Sequence, residues 1–371
     1  MEELGINRKF FTPSQVKPLA SVAGNYTYFA DGDVLLAKIT PCFENGKLGI
    51  ASSLHNAIGF GSSEFIVLRP SPKLDKEFLY YYLLRPEFRS EGEARMGGAV
   101  GQQRVPKEFV ENYLIPLPPI SEQRHIVGIL DKAFAAIATA ETNTENNLHN
   151  AHAIFDRRLQ AVFAERGKDW TAPKFGDIVE STLIGLTRSS REQGDDRPYK
   201  YVKMNNITSD NCFDFSSFVR VDASDEETRR FRLRAGDFLF NTRNSVELVG
   251  KACIYEGNPN EVVLFNNNIM RVRFKKCIEP KFVLLALSST CVAHDLNALK
   301  SGTTNVAAVY YGRLKSLNIP LPPCREQKEI TAALMRFREE SRRLESVYVR
   351  KLALLGELRK SLLQQAFSGS L

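Results

Sequence analysis

The chain has 371 residues, of which 43% are hydrophobic and 25% charged, with a formal net charge of +7. That length allows two domains or more, and the balance of residue types excludes an unstructured chain. No run of about 18 apolar residues is present, which excludes a membrane-spanning helix, and residues 1–5 have neither the basic start nor the apolar core of a secretory leader.

Along the chain, residues 33–36 form a short apolar run after the Gly32 turn, and residues 65–69 form another. Both read as strands, and residues 78–84 read as a helix. Ile115-Pro116-Leu117-Pro118-Pro119 then marks a boundary, because proline is tolerated only at the start of a helix. Beyond it, Leu130, Phe134, Ile137, Leu148, Ala151, Phe155 and Leu159 recur at steps that place them on one helix face, although residues 139–147 are polar. The polar linker 165–169 precedes a second globular region starting near Trp170. In that region residues 237–240 and 269–273 read as strands and 282–287 as a helix. A second long helix over 324–367 carries the stripe Leu334, Phe337, Leu344, Tyr348, Leu355, Leu358 and Leu362, interrupted by Ser341 and Lys351. Each helix would be a rod of about 65 Å. The six cysteines (42, 212, 253, 277, 291 and 324) show no CxxC spacing. They read as free thiols in a reducing compartment.

The strongest internal signal is a duplication. Ile115-Pro116-Leu117-Pro118-Pro119 recurs as Ile319-Pro320-Leu321-Pro322-Pro323, and the offset, 319 − 115 = 204, also aligns other landmarks. It carries Gly32-Asp33 onto Gly236-Asp237, Gly46-Lys47 onto Gly250-Lys251, Gly98 onto Gly302, Glu122-Gln123 onto Glu326-Gln327, and Phe163 onto Phe367. A unit of that size is a duplicated domain plus connector, not a solenoid repeat. The first copy lacks the counterpart of about residues 170–204, which reads as a truncated or late-assigned start. Positive charge sits in the second half: residues 1–119 are neutral overall, whereas 170–323 and 324–371 each carry an excess of four. Such an excess is compatible with a polyanionic partner.

The Pro-rich junction Ile115-Pro116-Leu117-Pro118-Pro119-Ile120-Ser121-Glu122-Gln123 leading into a long helix resembles the junction found in type I restriction–modification specificity subunits. Residues 38–47 (Lys-Ile-Thr-Pro-Cys-Phe-Glu-Asn-Gly-Lys), 59–65, 101–106 and the ending 363–369 resemble further stretches of that family, so the likeness covers essentially the whole chain. The second copy departs from the pattern, with Asn241-Thr242-Arg243-Asn244-Ser245 in place of the Thr-Pro-Cys stretch, and Arg325 stands where Ser121 would cap the first helix.

The resemblance implies an α+β fold: two pseudo-symmetric α/β target recognition domains separated by two long antiparallel coiled-coil helices. The expected boundaries are 1–119 for the first recognition domain (N-terminally truncated), 120–164 for the first helix, 170–323 for the second domain and 324–367 for the second helix. The alternative is two independent surface helices. It further implies that each domain reads one half of a bipartite double-stranded DNA site, that the helices set the unread spacer, and that methylation subunits, two in number, dock on the helical region. Restriction subunits can join. The chain itself would need no cofactor, S-adenosylmethionine, ATP and Mg being held by the partners, and it would be cytoplasmic and non-catalytic.

Base edges are read by Arg, Lys, Asn and Gln side chains, while hydroxyls and basic groups also hold phosphates. On this ground the DNA-contacting candidates are Lys38, Thr40, Asn45, Lys47, Gln102, Gln103 and Arg104 in the first copy. In the second they are Lys203, Asn205, Asn206, Thr242, Arg243, Asn244, Thr303, Thr304 and Asn305. The same residue types are at home in any solvated turn. Arg229, Arg230, Arg232 and Arg234 read equally as a phosphate rail or as an exposed strand face. Tyr310 and Tyr311 could stack on bases or pack in the core. His149 and His152 lack a third ligand and read as a solvated helix face. No phosphate-binding GxxxxGK[ST], no GxGxxG after a strand, no HExxH, no Gly-x-Ser-x-Gly and no Asn-Pro-Pro-aromatic tetrapeptide is present. Three readings stand on these residues: a DNA-binding specificity scaffold, a truncated or recombination-derived fragment without independent recognition, and an enzyme whose globular domains act on DNA themselves.

Overall fold

The computed structural model describes residues 2–24, 26–99, 101–303 and 306–369. These fall into two compact units, Met1–Leu148 with Ser346–Leu371, and His149–Glu345. In the first unit the elements are β1 (Phe10–Phe11), α1 (Leu19–Val22), β2 (Thr27–Ala30), β3 (Val34–Ala37), β4 (Leu48–Ala51), β5 (Ile58–Gly61), β6 (Phe65–Leu68), α2 (Lys76–Leu83), α3 (Pro86–Glu93), α4 (Lys107–Glu111) and the first part of α5 (Ile120–Ala164). A sheet of order β1-β4-β3-β6 forms its floor, with β2 and β5 paired beside it. All four residues of β3 are buried, as expected for a central strand covered on both faces. Helix α2 buries Phe78 through Leu83 against this sheet. It starts where Asp75, three residues before the apolar run begins at Phe78, accepts hydrogen bonds from the Glu77 and Phe78 N–H groups.

The second unit continues with α6 (Phe175–Ile178), β7 (Val179–Ile184), β8 (Tyr199–Val202), β9 (Val219–Val221), α7 (Asp225–Phe231), β10 (Phe238–Asn241), β11 (Arg243–Asn244), β12 (Ala252–Ile254), β13 (Val263–Phe265) and β14 (Ile269–Phe274). Then come α8 (Pro280–Ser288), α9 (Thr290–Ala298), β15 (Ser301–Gly302), β16 (Ala307–Ala308), α10 (Tyr311–Leu314) and α11 (Cys324–Phe367). Its main sheet has the order β12-β10-β14-β7. β10, β12, β14, α8, α9, α10 and α11 each begin 204 residues after β3, β4, β6, α2, α3, α4 and α5 (238 − 34 for the first). The duplication read from sequence is therefore a duplication of elements.

Two buried side-chain arrangements recur at the same offset and explain why those landmarks repeat. Asp33 accepts from the Arg69 guanidinium at 2.7 Å through each oxygen and from the Ala30 N–H at 2.7 Å. Asp237 does the same with Arg273 at 2.7 and 3.1 Å and with the Arg234 N–H at 2.8 Å. Each carboxylate fixes the Gly-containing turn that launches the central strand to its neighbouring strand, and Gly32 and Gly236 take φ of +90° and +91°, which a side chain would strain. The second arrangement is a glutamine clamp. Gln123 Oε1 accepts from the Asp75 N–H at 2.7 Å, and its Nε2 donates to the carbonyls of Lys73 and Pro118. Gln327 accepts from the Glu279 N–H at 2.9 Å and donates to the Pro322 carbonyl at 2.9 Å. The Glu-Gln of the Pro-rich junction thus ties the start of each long helix to the start of α2 or α8. Ser121 does not cap α5: the helix already runs from Ile120, and the Pro119 carbonyl accepts from Glu122 and Gln123.

Within each unit the two long helices pair antiparallel. In the first, Leu130 of α5 shares a core with Leu363 and Ala366 of α11, and Arg359 donates to Glu141 at 2.8 Å. In the second, Ser341 Oγ donates to the Ala151 carbonyl at 2.6 Å, and Leu159 shares a core with Leu334. The buried seam differs from the expected stripe. Gln123, Leu130, Ile137, Thr144 and Ala151 recur every seven residues, all buried, as do Gln327, Leu334 and Ser341. Leu344 and Leu358, expected on the seam, are 46% and 47% exposed. Ser341, read as an interruption, is a seam residue, because helices this close leave room only for a small side chain whose hydroxyl is satisfied by the facing backbone. The six cysteines are free thiols. No helix among the described residues is long and apolar enough to cross a membrane.

Candidate nucleic-acid interface

Each unit sews two polar loops together at the exit of its central strand. In the first, the chain leaving β3 passes through Lys38, whose N–H donates to the Glu64 carbonyl at 2.9 Å. The Thr40 N–H donates to the Gln103 carbonyl and the Val105 N–H to the Lys38 carbonyl, both at 2.9 Å, so that Ile39 bridges Arg104. In the second unit β11 pairs β16 with Arg243 opposite Ala308 and Asn244 opposite Ala307, and β16 also pairs β15. Ile39–Arg104 and Arg243–Ala308 are the same positions at the offset of the duplication. The far loop turns at Gly98 in one unit and Gly302 in the other, with φ of +123° and +129°. A Cβ on Gly302 would lie 2.3 Å from the Val306 carbonyl oxygen, so the turn admits no side chain there.

The candidate clusters that lie far apart in sequence are therefore neighbours. In the first unit Lys38, Thr40, Gln103 and Arg104 share one edge; Gln102, Asn45 and Arg104 are exposed, while Lys38, Thr40, Lys47 and Gln103 are half-buried. The Thr40 hydroxyl is buried and makes no hydrogen bond among the described residues. Arg104 donates to both oxygens of Glu64 at 2.9 Å. This hydrogen bonding holds the Glu64 carboxyl below its ordinary value and raises the guanidinium. Arg104 reaches another anion by exchanging partners with the half-buried Glu64 carboxylate.

In the second unit Lys203, Asn205 and Asn244 line one cleft of about 500 Å³ with Thr208, Ser209 and Lys251. Lys203 Nζ donates to Gln193 Oε1 at 3.2 Å. Arg243 and Thr303 are exposed beside it on the loops joined by β11, β15 and β16, and Thr242 donates its hydroxyl to the Asn268 carbonyl at 2.9 Å. Thr208 and Ser209 escaped the sequence reading. Their one signal was the polar run Thr208-Ser209-Asp210, separated from Asn205-Asn206 by Ile207.

Several expectations are corrected. Asn206 is buried: its Oδ1 accepts from the Lys203 N–H, and its Nδ2 donates to the Asp214 and Ser217 carbonyls, so it supports the loop from below and shows no group to a ligand. Thr304 and Asn305 lie outside the described residues. Arg229 and Arg230 end helix α7, so the run is not a strand face; Arg232 follows and donates to the Pro259 carbonyl. Tyr310 is 56% exposed, whereas Tyr311 packs on the core. His152 lies 3.8 Å from Glu345, and no group of three or more potential metal ligands occurs among the described residues. The loops offer amides, hydroxyls and cations on stiff supports, which is chemistry for holding phosphates and matching base edges.

Residues 6–150 and 167–347 match the family described as type I restriction modification DNA specificity domain, one match in each copy of the duplication. The chain belongs to this family. Among relatives of the specificity-domain family, the type I restriction enzyme EcoEI specificity subunit of Escherichia coli is 46% identical over 152 residues, 41% of this chain and 25% of that protein. The EcoKI specificity subunit of Escherichia coli K12 is 25% identical over 321 residues, 82% of this chain and 68% of the relative. The chain spans only 25% of the EcoEI subunit and 19% of the EcoAI subunit. In fold it is similar to a chain from a structure of a type I R-M system, with a TM-score of 0.76, 21% identity and coverage of 94% of this chain and 85% of that one. The HsdS subunit from Thermoanaerobacter tengcongensis gives 0.60, 21% identity and coverage of 92% and 82%.

Proposed function

We propose that the chain is the sequence-reading specificity subunit of a type I restriction–modification complex, with one half of a bipartite double-stranded DNA target read by each unit. The observation that carries this is the pair of stitched loops. The same two loops, at the same offset, leave the same central strand in both units, yet their side chains differ: Lys38-Ile39-Thr40 in one, Thr242-Arg243-Asn244 in the other. A shared scaffold with different reading residues is what two unlike half-sites require.

Methylation subunits dock on the paired helices, and restriction subunits join them in the cytoplasm. These partners supply S-adenosylmethionine, ATP and Mg²⁺, while this chain positions the DNA and does no bond-breaking. The length of α5 and α11 sets the number of unread base pairs. The test is methylome sequencing of a host that expresses the chain with its methylation subunit, alongside a variant in which both helices are lengthened by one seven-residue repeat, which keeps the seam in register. Two unlike half-sites, with a spacer that alone changes in the variant, are expected. A methylated motif without two halves, or an unchanged spacer, overturns the reading.

A further inference from the structure

The arginine run at 229, 230, 232 and 234 takes no part in the reading loops, and the fold gathers further cations around it. Strand β10 enters its sheet from the Gly236 turn and leaves it into the loop of Thr242, Arg243 and Asn244. β14 runs antiparallel to it, with Asn241 opposite Ile269 and Phe238 opposite Val272. Arg273, Lys275 and Lys276 therefore lie at the entry end of β10, where Arg234 also stands. Arg271 Nη1 donates to the carbonyls of Arg230 and Arg232, at 3.4 and 3.1 Å, which ties the end of α7 to the same place. Residues 56 positions apart in sequence or less thus form one basic surface at the end of the second unit opposite its reading loops.

Few carboxylates balance it. Asp237 is taken up by Arg273, and Glu256 and Glu261 pair with Lys281 and Lys200. Glu180, exposed, also acts on Arg273. Arg229, Arg230, Arg234, Lys275 and Lys276 are exposed and form no ion pair among the described residues. The crowding shows in Arg271. Burial pushes its guanidinium below the ordinary value, and the charges of Arg273 and Arg234 push the same way while Asp237 opposes them. Like charges gathered in this way repel, and an anion among them relieves the repulsion. Helix α7 explains only part of the cluster: Arg229 and Arg230 complement its carbonyl end, whereas Arg234, Lys275 and Lys276 belong to no helix. Nor does the shared fold need the cluster. At the positions of Arg234, Arg271, Lys275 and Lys276 the first unit has Ala30, Val67, Ser71 and Pro72, while Arg69 matches Arg273.

We propose that this end of the second unit is a second, sequence-independent duplex-binding surface, on which Arg229, Arg230, Arg234, Lys275 and Lys276 hold phosphates of a DNA segment other than the one whose bases are read. The inference rests on the proposed reading by the Thr242–Asn244 loop, which puts the target duplex at the exit end of β10. From Asp237 to Thr242 the strand advances about 17 Å. A major groove is only about 8.5 Å deep, so the duplex that the loops enter does not reach back to the entry end. The chemistry favours a phosphate backbone over a protein. None of the exposed large hydrophobic residues among the described residues comes from 225–237 or 271–279, whereas a protein interface is apolar at its centre. Basic groups on a surface without loops that enter a groove hold phosphates and carry no sequence information.

The test uses the chain in complex with its methylation subunit. The complex is saturated with a labelled duplex that ends just outside the two half-sites, then titrated with a second, differently labelled duplex that contains neither. Both labels are expected in one gel-shifted complex. In a chain carrying Arg229→Gln, Arg230→Gln, Lys275→Gln and Lys276→Gln, the slope of log affinity for the second duplex against log salt should flatten by about 3 to 4, at about 0.9 per phosphate contact. Target binding and the methylated motif should stay as in wild type. If the urea midpoint followed at Trp170 falls in that variant, Lys275→Gln with Lys276→Gln, outside α7, replaces it, with an expected flattening of about 2. An unchanged slope overturns the proposal. So does capture of polyglutamate without capture of the second duplex, which would assign the surface to an acidic protein. Loss of target methylation in a variant with an unchanged midpoint overturns it too, by moving these residues into the reading site. Failure of the wild-type complex to bind the target duplex counts against the proposed function alone, because the slope comparison is then made on the same complex without target.

Discussion

Replacing Gln327 by alanine tests whether the Pro-rich junction is a mechanical joint. Gln327 is 2% exposed and makes two hydrogen bonds to backbone groups, the Glu279 N–H and the Pro322 carbonyl, both at 2.9 Å. Removing the side chain leaves one buried donor and one buried acceptor without partners, each worth about 1–3 kcal/mol. Some water reaches a site next to a helix start, so the expected loss is about 2–4 kcal/mol. Trp170 is the sole tryptophan and lies beside this joint: its indole N–H donates to Glu326 Oε1 at 2.8 Å, and its ring packs on Phe163 and Phe282. Urea unfolding followed by its fluorescence therefore reports on the unit that contains Gln327. The midpoint should fall with an unchanged slope, as for a loss of native contacts without a change in compactness. Q327E, which keeps the acceptor for Glu279 but loses the donor toward Pro322, should fall between wild type and Q327A. A shift below about 0.5 kcal/mol for Q327A, within the range of an ordinary surface change, would refute the argument.

Three further outcomes follow from the same geometry. Burial alone would raise the Asp33 carboxyl, but the hydrogen bonds from Arg69 and the Ala30 N–H outweigh it and hold it below its ordinary value. Its stabilisation is thus full above the unfolded value of about 3.9 and is lost as pH falls through the lower folded value, so the stability gap between wild type and D33N should narrow below about pH 4 in thermal unfolding; a constant gap contradicts this. S341A should cost about 1 kcal/mol through the lost bond to Ala151, and S341L about 1–3 kcal/mol through overpacking of the seam, both by denaturant titration; a stabilised S341L would show that the helices have room for an apolar stripe. R243A should weaken DNA binding by about 1–3 kcal/mol at one half-site only, measured by gel shift of the complex with its methylation subunit on targets mutated in either half; equal loss on both halves would remove Arg243 from specific reading.

The sequence by itself determined the duplication, the two long helices and their start at the Pro-Pro junction, because these depend on local rules: proline at a helix start, apolar periodicity and glycine where φ is positive. Strands β3, β6, β10 and β14 were legible for the same reason, as short apolar runs after turn residues. The purpose of the repeated landmarks was not legible. Asp33 and Gln123 are bound to Arg69 and to the Asp75 N–H, partners 36 and 48 residues away, and no local pattern announces such pairs. Helix seams were misread where Ser341 and Thr144 sit, since burial at a close crossing depends on the facing helix and not on the residue's own hydropathy. Only the tertiary structure decided which candidate residues share a surface. It joined residues 38–40 to 103–105 and Asn205 to Asn244, and turned Asn206 inward, because a loop's side chains are placed by the strands that anchor its ends.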